Sequence, residues 1–284
     1  MRFALDFPNS GEYSDPQLLA DLACEAEDAG WDGCFVWDHI QLGLGEPAAD
    51  PWITLAAMAT ATQRIRIGPL VTPLFRRYPW KVARETVTLD HLSKGRLTLG
   101  IGLGSDAFGE ISAFGGPLDD HIRAEMLDEA LAVIVGLWSG QRFSFTGRHY
   151  RVEQAQFLPT PRQSPRIPIW IAGTWPHKAP FRRAARFDGV VPVIGDFSTS
   201  LTPIDVAYVV QFVRQLRPLN SHFDVVHFSS IMADYEHARE IVTSYSNAGA
   251  TWWVETIDPK HHSLAQIRHR IHMGTPRLRD SKAD

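Results

Sequence analysis

Only two cysteines occur in 284 residues, Cys24 and Cys34, and both lie in apolar contexts. That excludes a disulfide framework and any cysteine-based metal cluster, and reduced, buried thiols in a cytoplasmic protein are the expectation. No apolar run approaches the roughly 20 residues needed to span a bilayer, so no membrane partner is expected. The opening MRFALDFPNS reads as a strand and lacks the apolar core and cleavage site of a secretory leader. A strong charge of either sign is missing too. With 28 Lys and Arg against 32 Asp and Glu, the formal net charge of -4 gives no reason to expect a nucleic-acid partner. Repeats and low-complexity stretches are absent. So is metal-ligand spacing: a metallohydrolase barrel commonly begins with His-x-His on its first strand, whereas this first strand offers Leu5-Asp6-Phe7. His261-His262 are adjacent in a loop, so no metal site is expected.

What is present is the composition of a soluble globular chain, 44% hydrophobic and 21% charged. One stretch, Gly30 to Ile40 (GWDGCFVWDHI), organises the reading. Gly30 suits a helix C-cap, Asp32-Gly33 a tight turn, and Cys34–Trp37 a parallel strand buried on both faces. The run stops at Asp38-His39, at the carboxyl end of a strand, where α/β folds carry ligand sites. Either this pair stands on the rim of a pocket, or the Asp caps a turn and the His bonds a carbonyl.

Strands and helices alternate along the chain. Arg2–Phe7 is the first strand, and Asp15-Pro16 opens a helix that runs to Gly30. After Gly33–Trp37, Asp50-Pro51 opens a second helix that continues to about Gln63. Arg64–Thr72 is the third strand, interrupted by Gly68-Pro69; a helix from about Trp80 to Leu92 and the strand Arg96–Gly102 follow. A helix spans about His121 to Trp138. Residues 140–167 break the alternation: Phe143–Tyr150 reads as a hairpin, an excursion at the surface or beside the pocket. The alternation resumes with Ile169–Ala172, helix 178–186, strand Gly189–Ile194, helix 204–216 and strand Phe223–Met232. Helix 235–247, strand Ala250–Glu255 and a helix over about Ser263–His272 complete it. Residues 1–273 read as one domain and 274–284 as a mobile tail. Eight strands, each followed by a helix, fit an α/β fold of the closed (β/α)₈ TIM-barrel type better than an open doubly wound sheet.

In such a barrel the strand ends build the site. Here they are Phe7-Pro8-Asn9, Trp37-Asp38-His39, Val71-Thr72-Pro73 and Gly102–Asp106, then Ala172–Trp175, Pro192–Gly195, Ser229-Ser230 and Trp253–Glu255. The set is aromatic, glycine-rich and hydroxyl-rich, which suits a flat, partly apolar ligand with hydrogen-bonding edges. Gly173–Lys178 (GTWPHK) offers Gly173, Thr174, Trp175, His177 and Lys178 before a helix, with Arg182 and Arg186 placed on the face of Lys178. It reads as a phosphate site or, alternatively, a solvated basic face. Pro69 removes a ladder donor and marks either a kink beneath the pocket's occupant or a packing irregularity.

AGWDGCFVWDH, RIRIGPLVTPLFRRYPWKVARETVTLDHLSKGRLTLGIGLG, PIWIAG, RRAARFDGV and GATWWVE together resemble the bacterial luciferase-like superfamily of flavin and deazaflavin oxidoreductases, over about residues 1 to 258. The resemblance implies a luciferase-like barrel, usually a homodimer, with a flavin-type ring at the strands' carboxyl ends and Gly104 among the residues beside it. It implies the cofactor phosphate in Gly173–Lys178. It also implies a bulge with a non-prolyl cis peptide, anchored on Thr72-Pro73, at Pro69–Leu70 or one residue along. His39, with Asp38, would stand near the reactive ring carbon as a proton-transfer or orienting residue, a task imidazoles in general suit because the free group titrates at about pH 6.5. Sugar-oxidising members carry a Glu soon after the fourth strand, where this chain has Ser105-Asp106, so that acid role is not carried over. The lack of long insertions favours the deazaflavin coenzyme F-420 over FMN. The leading expectation is two-electron hydride chemistry on a small-molecule substrate. The alternatives are an FMN monooxygenase served by a separate flavin reductase, and a flavin-binding protein without turnover.

Overall fold

A computed structural model describes residues 1–195, 200–218, 221–229, 237–258 and 260–276. Its first half comprises β1 (Arg2–Phe7), α1 (Pro16–Asp28), β2 (Gly33–Val36), α2 (Pro51–Ala61), β3 (Arg66–Pro69), β4 (Thr72–Pro73), α3 (Pro79–Leu92), β5 (Leu99–Gly102) and α4 (Asp120–Trp138). A hairpin of β6 (Phe143–Thr146) and β7 (Arg151–Ala155) follows. The second half comprises β8 (Ile169–Thr174), α5 (Lys178–Ala184), β9 (Gly189–Val193), α6 (Pro203–Arg214), β10 (Asp224–Ser229), α7 (Ala238–Ala248), β11 (Trp252–Thr256) and α8 (Leu264–His272). Both Asp-Pro signatures behave as the sequence predicts. Asp15 accepts from the Gln17 amide and Asp50 from those of Trp52 and Ile53, with proline at the first helical position of each helix.

Nine parallel strands run in the order β3-β2-β1-β11-β10-β9-β8-β5-β4. β3 and β4 are two halves of one interrupted strand, which explains why the sequence shows eight. Ile67 bridges in parallel to Leu97, and that bridge brings the open edges of the sheet together into a barrel. The approach is close: a Cβ on Gly68 would lie 1.9 Å from the Thr98 carbonyl oxygen, and one on Gly100 2.4 Å from that of Pro69. Glycine is therefore required at both crossings.

Inside the barrel, Ala4, Phe35, Leu70, Trp170, Val226 and Trp252 form one buried cluster. Phe35, Trp170 and Trp252 meet with centroids 5.2 to 6.1 Å apart, plugging the barrel below its carboxyl end. Each such ring hides about 200 Å², or about 5 kcal/mol of transfer free energy. The residues facing the helices form a second, larger core.

At the opposite end Arg96 ties the layers together. Its guanidinium donates to the carbonyls of Ser93, Ala59, Thr62 and Ile65 and to the Thr62 hydroxyl, at 2.6 to 3.0 Å. Arg96→Met keeps the stem but strips these buried acceptors of their donor, and a loss of about 3 kcal/mol is expected in urea denaturation. A change below about 1 kcal/mol would show that water replaces the guanidinium.

Several boundaries differ from the sequence reading. The hairpin is present, but its second strand lies beyond Tyr150, and the amides of Arg148, His149 and Tyr150 all donate to Glu129 on α4. Cys34 is buried, whereas Cys24 is half-buried, and both thiols are free. The strand expected to reach Met232 is described to Ser229; Ser230 and the rest of 230–236 lie outside the described residues. Of the expected tail, 277–284 likewise lies outside them. No helix among the described residues is long and apolar enough to cross a membrane.

Candidate active site

β2 delivers Asp38 and His39 to the carboxyl end of the barrel, and alternation separates their roles. Asp38 is buried, 3% exposed. One carboxylate oxygen accepts from the Thr72 hydroxyl at 2.7 Å and the Trp52 indole at 3.4 Å; the other accepts from Arg76 at 2.8 Å. Arg77 reaches both oxygens at 3.3 Å, and Arg76 also bonds the Asp38 carbonyl. Asp38 thus clamps the end of the interrupted strand to the turn after it.

His39 keeps a 27% exposed side chain. Its Nδ1 lies 2.6 Å from a carboxylate oxygen of Glu110, while Phe108 and Trp37 meet the ring edge-on at 5.4 and 5.9 Å. Asn9 fixes the backbone by donating to the carbonyls of His39 and Ala49 at 2.7 Å. Glu110 is 4% exposed and also accepts from the amides of Ile40 and Gln41 and from Arg76. Burial pushes the Glu110 carboxyl pKa up, but the hydrogen bond and charge of His39 and the two amides outweigh it and bring it down to about 2. An ionised Glu110 only accepts. Neutral His39 therefore carries its proton on Nδ1 and presents Nε2 as a base.

Glu110, Arg76 and Arg77 are site residues that the sequence reading missed. It looked for an acid at Ser105-Asp106, but Asp106 caps a turn through the amides of Ile111 and Ser112 at 2.7 and 2.9 Å. The carboxylate that meets His39 stands four residues further on. The only signals were the Arg pair before Pro79 and a lone Glu in a glycine-rich connection. Deeper in the barrel, Asp6 accepts from the Trp37 indole at 2.9 Å, and burial holds its carboxyl pKa well above the usual range.

On the third strand the non-prolyl cis bond lies at Leu70–Val71, one residue along from Pro69–Leu70. Leu70 joins the interior cluster. Gly104 has φ +75°, and a Cβ there would fall 2.9 Å from Pro73 and Phe75, so glycine is required.

At the end of β8, a Cβ on Gly173 would meet Pro180 at 2.2 Å, which lets the helix start press on the strand. The His177 amide donates to Thr174, and Trp175 packs edge-on against Phe181 at 5.3 Å. Lys178 places its ammonium 3.6 Å from the centroid of Trp175 and 4.7 Å from that of Phe212. The expected row of Lys178, Arg182 and Arg186 does not form. α5 ends at Ala184, and Arg186 joins Arg183 on Asp128 instead. A seven-residue helix also adds little dipole, so the positive charge of this loop is that of Lys178.

The family model for luciferase-like monooxygenases matches residues 3–199. An F420-dependent glucose-6-phosphate dehydrogenase of Nakamurella multipartita is 35% identical over 192 residues, 66% of this chain and 55% of that protein. The chain thus spans little more than half the length of that relative. A protein of the same name from Beutenbergia cavernae is 30% identical, with 99% of this chain and 92% of that protein covered. Among solved structures, an F420-dependent secondary alcohol dehydrogenase in complex with an F420-acetone adduct has a TM-score of 0.79 at 16% identity. That match covers 97% of this chain and 98% of the other, and it is a likeness of fold.

Proposed function

Because this chain belongs to the luciferase-like monooxygenase family, we propose that it is an oxidoreductase moving two electrons, as hydride, between a small organic substrate and a deazaflavin coenzyme. The observation that carries the reading is the His39–Glu110 pair at the barrel mouth, 2.6 Å apart with Nε2 left as a base. The residues present suit such a coenzyme: Pro69, Leu70 and Thr72 with Gly104 to back a flat ring, and Gly173, Thr174, Trp175, His177 and Lys178 for its phosphate. When bound, the deazaflavin supplies the acceptor for the hydride that leaves the substrate carbon. His39 takes the proton of the substrate hydroxyl at Nε2. Glu110 holds the imidazole in the required tautomer, and Asp38 acts as a positioning residue through Arg76 and Thr72. The four groups Asp38, Glu110, Arg76 and Arg77 sum to zero charge, so the arriving imidazolium charge stands beside an ionised Glu110.

Titrating the protein with the deazaflavin and with FMN tests the reading. Preferential FMN binding would favour the second reading, which the family's own description supports: a monooxygenase taking reduced FMN from a separate reductase and reacting it with oxygen. Lys178→Glu is expected to weaken coenzyme binding about 100-fold in a protein that still folds, since a charge-assisted phosphate contact becomes a repulsion while only the contacts with Trp175 and Phe212 are lost. Equal affinity would remove this loop from the phosphate role. We place the protein in the cytoplasm on the two free thiols. A homodimer is supported by the exposed apolar side chains of Ile53, Tyr78 and Trp80 at the starts of α2 and α3, and light scattering would test it.

A further inference from the structure

We propose that the amino end of the barrel holds a small oxyanion, a phosphate or a carboxylate, between Arg2 and Arg66. The place is remote from the mouth where His39 stands. Arg2, Arg66 and Trp252 each open a strand, β1, β3 and β11, and Asp32 directly precedes β2. These four residues line a cavity of about 370 Å³, within the size range of small-molecule sites. Arg2 lies two residues before Ala4 of the interior cluster, so alternation turns it to the inside of the barrel. Its register partner, the buried Trp252, closes the floor, with the Arg2 guanidinium 5.3 Å from the centroid of the indole. Arg66 is in register with Gly33, which adds no side chain to the gap between β1 and β3.

The two guanidiniums are held in place, yet their charge is not answered. Arg66 donates to Oε1 of Gln163 at 3.2 Å. Gln163 is itself fixed, because its amide nitrogen donates to Asp90 and to the Leu97 carbonyl at 2.8 and 2.7 Å. Among the described residues neither Arg2 nor Arg66 forms an ion pair, whereas Arg166 at the same end pairs with Asp188. The nearby acids have other work. Asp32 accepts from the Phe3 amide at 2.9 Å, and Asp224 spends one oxygen on the Trp170 indole at 3.2 Å and the other on the Thr251 hydroxyl at 3.1 Å. The Trp252 indole N–H in the floor likewise lacks an acceptor among the described residues. Arg66 is half-buried, and both burial and the like charge of Arg2 push its pKa down. Two cations sharing a cavity repel, and an oxyanion between them turns that repulsion into two attractions. Each planar fork offers paired N–H donors that match a carboxylate or phosphate edge. Because the forks are already oriented, little ordering remains to be paid on binding.

Inorganic phosphate and succinate are the probes, titrated by calorimetry into the full chain at constant ionic strength so that screening is the same throughout. At least one is expected to bind with a Kd of about 1 mM or tighter and to raise the thermal midpoint. Tighter phosphate assigns the site to a phosphorylated metabolite, and tighter succinate to a carboxylate. Arg2→Gln and Arg66→Gln should each weaken the binding about tenfold, the loss of one charge-assisted contact. Arg2 is exposed, so Arg2→Gln keeps the test open where Arg66→Gln destabilises the chain. No binding of either probe overturns the site. Binding that survives unchanged in Arg2→Gln but disappears in Lys178→Glu would place the anion in the loop after β8 and also overturn it.

Discussion

Replacing His39 with alanine should cut turnover by 10²–10⁴-fold while coenzyme affinity stays within a few-fold of wild type. The size follows from what the imidazole does. It is a base at the mouth that is held by a buried, ionised carboxylate and still keeps an open nitrogen, with a side chain 27% exposed. Removing it leaves the substrate hydroxyl to lose its proton to water; Ile40, Gln41 and Arg76 still hold Oε1 of Glu110, and Oε2, which faced His39, meets the water that fills the space of the lost ring. The fold should therefore survive. The grip on the coenzyme is assigned to other elements, the interrupted third strand and the loop after β8, so binding and rate separate. Stopped-flow bleaching of the coenzyme reads the rate, and titration reads the affinity. Added imidazole should restore part of the rate in the variant. Turnover within a factor of two of wild type would return His39 to a packing role.

How far the sequence reached depended on whether a residue's role was set locally. Asp38-His39 was legible because a buried apolar run that stops at two polar residues marks a strand's carboxyl end. The break in the third strand was legible because Pro69 cannot donate to a ladder, and the structure splits that strand into β3 and β4. Glu110 was not legible. It lies in a 17-residue connection, 103–119, and only the fold brings it across 71 positions to His39. Arg76 and Arg77 looked like any basic pair, since nothing local shows that they neutralise two buried carboxylates. The predicted cationic row on α5 failed for a related reason. Four-residue spacing makes a common face only while the helix lasts, and α5 stops at Ala184, before Arg186.

Outside the site, acid should destabilise this protein through His227, and His227→Phe should remove that part of the effect. His227 is 1% exposed and stacks on Tyr245 at 3.8 Å, with Trp253 at 5.0 Å. Neither ring nitrogen has a hydrogen-bond partner among the described residues. Burial pushes its pKa down from 6.5 to about 3, because nothing nearby repays the cost of a charged imidazolium. The folded pKa lies below the unfolded one, so the unfolded chain takes up a proton that the folded chain refuses. Stability from this group is intact above about pH 6.5, falls by about 1.4 kcal/mol per pH unit below it, and levels off near pH 3. At pH 4 the loss is about 3 kcal/mol. Phenylalanine keeps the stack on Tyr245 and has nothing to protonate. Urea denaturation at pH 7 and pH 4 isolates the term, since the carboxylates titrate alike in both proteins. The variant should lose about 3 kcal/mol less than wild type between the two pH values. An equal loss in both would mean that His227 is already protonated, or already solvated, in the folded state.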